Sequence, residues 1–126
     1  MQFDEYSNAH GPLIDSYQAG EIGVADHQYR QAIFVDEQQA TPLNLSSASE
    51  LSLADVQAAL DADADTRPEI ILIGTGAQTQ MIHPRLYATL GQHGIGVEVM
   101  NTGAACRTFN VLRGEGRRVW AWLWPL

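Results

Sequence analysis

The stretch Met100-Asn-Thr-Gly-Ala-Ala-Cys-Arg-Thr-Phe-Asn-Val-Leu-Arg-Gly-Glu-Gly-Arg117 decides the fold. It closes one strand-like segment, runs through a helix and leads into another strand-like segment. Asn101 or Thr102 is placed to cap that helix, which reaches about Arg113. Ala105, Thr108 and Leu112 supply its expected inner stripe. The stretch also holds the only cysteine and three of the seven arginines, so any chemistry in this chain is expected to start here.

Working upstream, Ile95–Met100 reads as a strand, preceded by a helix with Pro84 at its first position. Ile82 and Tyr87 are spaced as a hydrophobic staple, Leu86 and Leu90 as a buried stripe, and Gly91 and Gly94 as the stop. Before them, Glu69-Ile-Ile-Leu-Ile73 is a continuous apolar run, as a strand covered on both faces requires, and Gly74-Thr-Gly76 ends it. The thirty residues from Ile70 to Val99 have the length of a parallel βαβ unit. Downstream, Arg118–Trp124 is a strand of alternating aromatics. Trp120, Trp122 and Trp124 share one face, and Val119, Ala121 and Leu123 share the other. The tryptophans are expected to cover an N-terminal layer or, if exposed, to form a partner or dimer surface.

The N-terminal half reads as short strands at Pro12–Tyr17, Ile22–Ala25, Gln31–Val35 and Thr41–Leu45. Ser52 with Asp55 forms a capping box, and Leu53, Val56 and Leu60 line one face of the helix that follows. The acidic, proline-ended stretch 61–68 breaks it. The expected architecture is α/β in a single domain, 1–126: an antiparallel N-terminal β layer against a mixed sheet with helices.

Composition narrows the function. The chain has 126 residues, 45% hydrophobic and 17% charged, which is globular. One cysteine excludes an internal disulfide and fits a reducing compartment. The acidic start, Met1-Gln-Phe-Asp-Glu-Tyr6, has neither a basic n-region nor an apolar h-region, so a cytoplasmic protein is expected. No long apolar run is present for membrane insertion. Net charge is −8; residues 1–69 carry thirteen Asp/Glu against Arg30 and Arg67, and residues 70–126 carry Glu98 and Glu115 against five arginines. That balance argues against nucleic acid and leaves room for a small anion near the basic part. The absence of lysine removes Schiff-base chemistry and the P-loop.

The pattern Pro68-Glu-x4-Gly74-Thr-Gly76, then Pro84, then Gly94-Ile-x-Val97-Glu-Val-Met100-x-Thr102-x-x-Ala105-x-Arg107-Thr-Phe-Asn110-x-Leu112-x-x-Glu115-x-Arg117-x-Val119 resembles the Mth938-like domain family. The likeness covers about residues 10–124 and is most specific over Val97–Val119. The resemblance implies a three-layer fold around a mixed, five-stranded central sheet. It also implies a place among small domains of largely unknown function, whose eukaryotic members act in respiratory-complex assembly or in regulation.

Several motifs compete for a site. Gly74-Thr-Gly-Ala-Gln-Thr79 with Glu98 is a broken dinucleotide fingerprint, since Thr79 replaces the third glycine and the helix begins only near Pro84. Cys106, Arg107 and Asn110 are neighbours at helical spacing. Cys106 is the one candidate nucleophile, against the plainer reading of a small buried apolar residue. Arg107 with Asn110 suits a carboxylate or phosphate, against the plainer reading of an ion pair with Glu98 or Glu115. Ligands of open α/β sheets bind beyond the carboxyl ends of parallel strands. A cleft lined by Gly74, Thr75, Gly76, Asn101, Thr102, Arg107 and Asn110 is therefore expected. Asp61-x-Asp63-x-Asp65 fails as a calcium loop, because its sixth and twelfth positions are Thr66 and Leu72. No zinc spacing or Gly-x-Ser-x-Gly elbow occurs, so neither cofactor nor metal is expected. The reading that remains is a non-enzymatic interaction or assembly factor with a protein partner. The alternative is a small-anion- or nucleotide-binding protein or enzyme using the cleft.

Overall fold

The computed structural model describes residues 11–62 and 67–126. The segment Met1–Tyr6, and Asp63, Asp65 and Thr66 of the failed calcium loop, lie outside the described residues. The elements are β1 (Ile14–Gln18), β2 (Glu21–Val24), β3 (His27–Tyr29), β4 (Ile33–Val35), β5 (Ala40–Pro42), α1 (Leu53–Ala62), β6 (Ile70–Thr75), α2 (Pro84–Gln92), β7 (Gly96–Met100), α3 (Thr102–Gly114) and β8 (Val119–Trp124). They form an antiparallel sheet ordered β1-β2-β3 and a mixed five-stranded sheet ordered β5-β4-β8-β6-β7. The expected α/β architecture, with its mixed sheet and antiparallel N-terminal layer, is present.

Local signals explain most elements. Ser52 and Asp55 bond reciprocally at the start of α1, with Asp55 N–H to Ser52 Oγ at 3.1 Å and Ser52 N–H to Asp55 Oδ2 at 3.0 Å. Pro84 opens α2 behind the His83 cap. Gly94, at φ +75°, reverses the chain at its end, and Ile95 N–H reaches back to Leu90 O at 3.0 Å. Ile82 turns into the core with Leu86 and Leu90, whereas Tyr87 is 45% exposed. The strand His27–Tyr29 had no sequence signal of its own; it exists because β2 offers it an edge. Leu43–Leu45, expected within a strand, leave the sheet after Pro42.

β6 pairs in parallel with β7 on one side and with β8 on the other. The two crossovers run in opposite directions, so α2 and α3 fall on opposite faces of the sheet. On one face Ile71, Ile73, Trp120 and Trp122 pack under α1 and α2. On the other, Leu72, Val119, Ala121 and Leu123 pack under α3 and the inner residues of β1 and β2.

Two expectations about these faces are corrected. The tryptophan row meets α1 and α2 instead of the N-terminal layer, and it stays interior, at 2%, 2% and 4% exposure for Trp120, Trp122 and Trp124. Phe34 stacks on Trp122 at 4.2 Å and meets Trp120 edge-on at 5.3 Å, so the row is packed and offers no partner surface. The buried arc of α3 is also wider than Ala105, Thr108 and Leu112. It comprises Thr102, Gly103, Ala105, Cys106, Phe109, Asn110 and Arg113, while Thr108 and Leu112 are half-buried. The reason is that α3 is covered twice, by the central sheet and by β1.

Candidate functional site

The carboxyl ends of β6 and β8 and the entry to α3 meet at one joint. Thr102 N–H donates to Gly76 O at 2.8 Å, and Gly76 N–H donates to Thr102 Oγ1 at 2.8 Å. The Thr102 hydroxyl in turn donates to Trp124 O at 2.5 Å. One buried hydroxyl thus ties the ends of β6 and β8 to the first turn of α3. Asn101 caps that turn, its Oδ1 accepting from Ala104 N–H at 2.9 Å. Thr75 Oγ1 donates to Gln78 O at 2.7 Å and accepts from Gln80 N–H at 3.0 Å, which folds the loop after β6 back on itself. Gly76 sits at φ +99°, a conformation that favours glycine.

Five of the expected cleft residues are therefore brought together: Gly74, Thr75, Gly76, Asn101 and Thr102. Close packing seals part of their junction. A Cβ at Gly74 would lie 2.9 Å from a Leu123 methyl and 3.0 Å from Ala105. The Gly76 N–H that a dinucleotide loop would aim at a phosphate is already engaged by Thr102.

Arg107 and Asn110 are not part of this cluster. Arg107 is exposed, donates to the Tyr17 hydroxyl and lies 5.9 Å over its ring, toward the N-terminal layer. Asn110 is fully buried and holds β1: Ile14 N–H donates to its Oδ1 at 2.9 Å, and its Nδ2 donates to Ile14 O at 2.8 Å. Cys106 is fully buried as well. Burial pushes its thiol up to about 12, with the nearby Arg107 charge opposing, so it is a neutral packing group at physiological pH. His83 and His93 cap the two ends of α2, on the far side of the sheet from Cys106. Among the described residues no three His, Cys, Asp or Glu gather as a metal-ligand set.

The open space lies on the other side of the joint. A groove of about 910 Å³ is walled by Thr75, Gly76, Ala77 and Gln80 after β6, by the segment Leu43–Ala48 after β5, and by Trp124–Leu126. Gly20, Arg30, Gln31 and Ala32 complete it. Trp124 Nε1 donates to Leu45 O at 3.0 Å, and Gln31 Nε2 donates to Leu43 O at 2.9 Å, so the far wall is held in place. Ser47 and Glu50 form a second capping box, with Ser47 N–H to Glu50 Oε1 at 2.9 Å, that turns the chain at the groove mouth. The Ser47-x-x-Glu50 spacing was the one sequence signal for this wall. Arg30, the only cation lining the groove among the described residues, pairs with Glu21 at 3.0 Å. That pairing, with a hydrogen bond from Gln18 as the larger influence, holds the Glu21 carboxyl below its usual range.

The sequence also passed over Arg113. It is buried beneath α3, donates to Asp36 O at 2.9 Å and Val119 O at 3.1 Å, and lies 3.7 Å from Glu37. Burial lowers its affinity for the proton, against the opposing pull of Glu37 and Asp36.

This fold and joint define a small α/β domain with a groove at the carboxyl ends of parallel strands. Residues 14–124 match the family described as protein of unknown function (DUF498/DUF598), and the chain belongs to that family. It is 29% identical over 128 residues to mouse NADH dehydrogenase [ubiquinone] 1 alpha subcomplex assembly factor 3, covering 86% of this chain and 69% of the mouse protein. A solution structure of a Bordetella pertussis protein described as a Mth938-like domain superposes with a TM-score of 0.79 at 26% identity, over 99% of this chain and 91% of that one. A Bartonella henselae structure described as an outer membrane protein superposes with a TM-score of 0.78 at 32% identity, over 90% and 94% of the two chains. No helix among the described residues of the present protein is long and apolar enough to cross a membrane.

Proposed function

We propose that this protein is a non-enzymatic interaction factor that holds a protein partner in the groove beyond β6 and β8, in a role related to respiratory-complex assembly. The carrying observation is the division of the two sides of the joint. The groove is lined by amides and hydroxyls beside the apolar Leu43, Leu45, Trp124 and Leu126, with Arg30 held by Glu21, whereas Cys106 is a buried neutral thiol and Asn110 and Arg113 are committed to tying elements together. Such a surface binds without reacting. The similarity to a complex I assembly factor supports the same reading, and a cytoplasmic location belongs to it as the compartment in which to look.

Ala77 is exposed on the groove wall, so Ala77→Arg intrudes on the groove without touching the joint. Affinity purification from the source organism, comparing wild type with Ala77→Arg of equal thermal stability, tests the proposal. A stoichiometric partner retained by wild type and lost by the variant is expected. A partner retained equally by both rules out the groove, and the absence of any partner with wild type rules out the assembly reading.

The position of the groove also favours a second reading, a small-anion or nucleotide site, because ligands of open α/β sheets collect there. Thermal-shift titration with inorganic phosphate and nucleotides separates the two: stabilisation that Ala77→Glu abolishes, by setting a carboxylate against the anion, supports the small ligand.

A further inference from the structure

Among the described residues the two sheets have four outer strands, and three of their edges are blunted. At β1 the Asn110 carboxamide occupies the main-chain groups of Ile14. β3 and β5 are three residues each, and β5 ends in Pro42. The fourth, β7, is different: five residues, Gly-Val-Glu-Val-Met, without proline and paired only to β6 among the described residues.

The register shows what this edge presents. Gly96 N–H donates to Glu69 O at 3.0 Å, and Gly96, Val97 and Glu98 lie opposite Ile70, Ile71 and Leu72. Main-chain groups of alternate residues in a parallel ladder point the same way. Gly96, Glu98 and Met100 therefore face β6, and the N–H and C=O groups of Val97 and Val99 face outward. Val97 and Val99 direct their side chains toward the α2 side, where they pack partly on the core. Glu98 emerges on the α3 side and is exposed, its carboxylate with no hydrogen bond or ion pair among the described residues.

Charge selects the occupant. Two copies paired antiparallel about Glu98 would set one carboxylate against another, and the chain's net charge of −8 adds to the repulsion. A basic strand gains from both. We propose that β7 is a docking edge for an extended segment of another protein, carrying apolar and basic residues in alternation. The segment adds beyond β7 through the main-chain groups of Val97 and Val99, with an arginine or lysine opposite Glu98. This goes beyond the groove reading and uses a different surface, so either can fail alone.

The test is NMR of the labelled full chain with a synthetic peptide of roughly eight alternating valines and arginines, the length of an ordinary strand. A control peptide replaces arginine by glutamate. Shift changes and new exchange protection at Val97 and Val99 with the arginine peptide alone are the expected result, unchanged in Ala77→Arg. Val97→Pro removes a donor that β6 does not use, and proline is tolerated at such an edge position. It should weaken the peptide by about tenfold or more, through one lost hydrogen bond and a blocked approach. Glu98→Arg should transfer the preference to the glutamate peptide, and it serves if Val97→Pro perturbs the fold. Equal binding of both peptides overturns the proposal, as do shifts at Ala77 and Gln80 instead of β7, or no shifts at all. A wild-type dimer that Val97→Pro dissociates also overturns it, by making the second strand another copy of this chain.

Discussion

Asn110 and Ile14, ninety-six positions apart, exchange two hydrogen bonds of 2.9 and 2.8 Å. A side-chain amide on α3 presents one acceptor and one donor to β1, as the main chain of a neighbouring strand would. With Asn110 fully buried, water cannot replace either partner. Asn110→Ala should therefore leave a buried N–H and C=O unsatisfied, and each such group costs about 1–3 kcal/mol. Urea denaturation should show a loss of at least about 2 kcal/mol on that basis. A loss below about 0.5 kcal/mol, the size of an ordinary surface effect, would show that β1 is held by its apolar contacts alone.

Thr102 gives a parallel case at the joint. Thr102→Val keeps the shape but removes both hydroxyl bonds, leaving Gly76 N–H and Trp124 O without this partner. We expect about 1–3 kcal/mol of destabilisation, largely restored in Thr102→Ser. A loss confined to the serine variant, which lacks the methyl that valine keeps, would assign the effect to packing of that methyl group.

Cys106 should resist thiol reagents at neutral pH in the folded protein and react only on unfolding, because its thiol is buried and neutral. The sign of its pH dependence follows from burial. The folded thiol titrates near 12 against an ordinary 9.0, so between those values the folded state holds the proton that the unfolded state has released. This contribution to stability is present below 9.0 and declines through the interval, by up to about 1.4 kcal/mol per pH unit. Cys106→Ala should flatten the curve over that window relative to wild type. Identical slopes for the two proteins would contradict the buried, proton-retaining thiol.

Arg113 tests whether its role is charge or geometry. Arg113→Lys keeps a cation but cannot reproduce the fork that reaches Asp36 O and Val119 O. A loss of about 1–3 kcal/mol is expected, from a buried carbonyl left without its donor. Near wild-type stability for the lysine variant would make the charge beside Glu37 the essential feature.

The tryptophan row has an optical signature. With Trp120, Trp122 and Trp124 all nearly inaccessible, fluorescence should be blue-shifted and poorly quenched by acrylamide. Emission typical of water-exposed indole would restore the surface reading that the structure removes.

How much was legible depended on the range of each signal. The apolar run at Ile70–Ile73, the Ser52–Asp55 box, Pro84 and the glycine at position 94 all act within a few residues, and each marked its element to within one or two positions. The five-residue cluster at the strand ends was also legible, because strand, turn and helix order determine which loops meet there. His27–Tyr29 was missed because three polar and aromatic residues become a strand only beside β2. The groove wall at Leu43–Ala48 was missed because Pro42 ends β5 earlier than its apolar pattern implied.

By itself the sequence determined the type and order of most elements, the parallel βαβ core and family membership, since periodicity, caps and turn residues are local physics written in adjacent positions. Only the tertiary structure decided which face each side chain meets. It sends Arg107 to Tyr17, turns Asn110 and Cys106 to the buried side of α3, buries the tryptophans beneath α1 and α2, and leaves β7 at the sheet edge among the described residues. Those outcomes depend on segments tens of residues away competing to cover the same surfaces, and no spacing within one segment encodes which of them prevails.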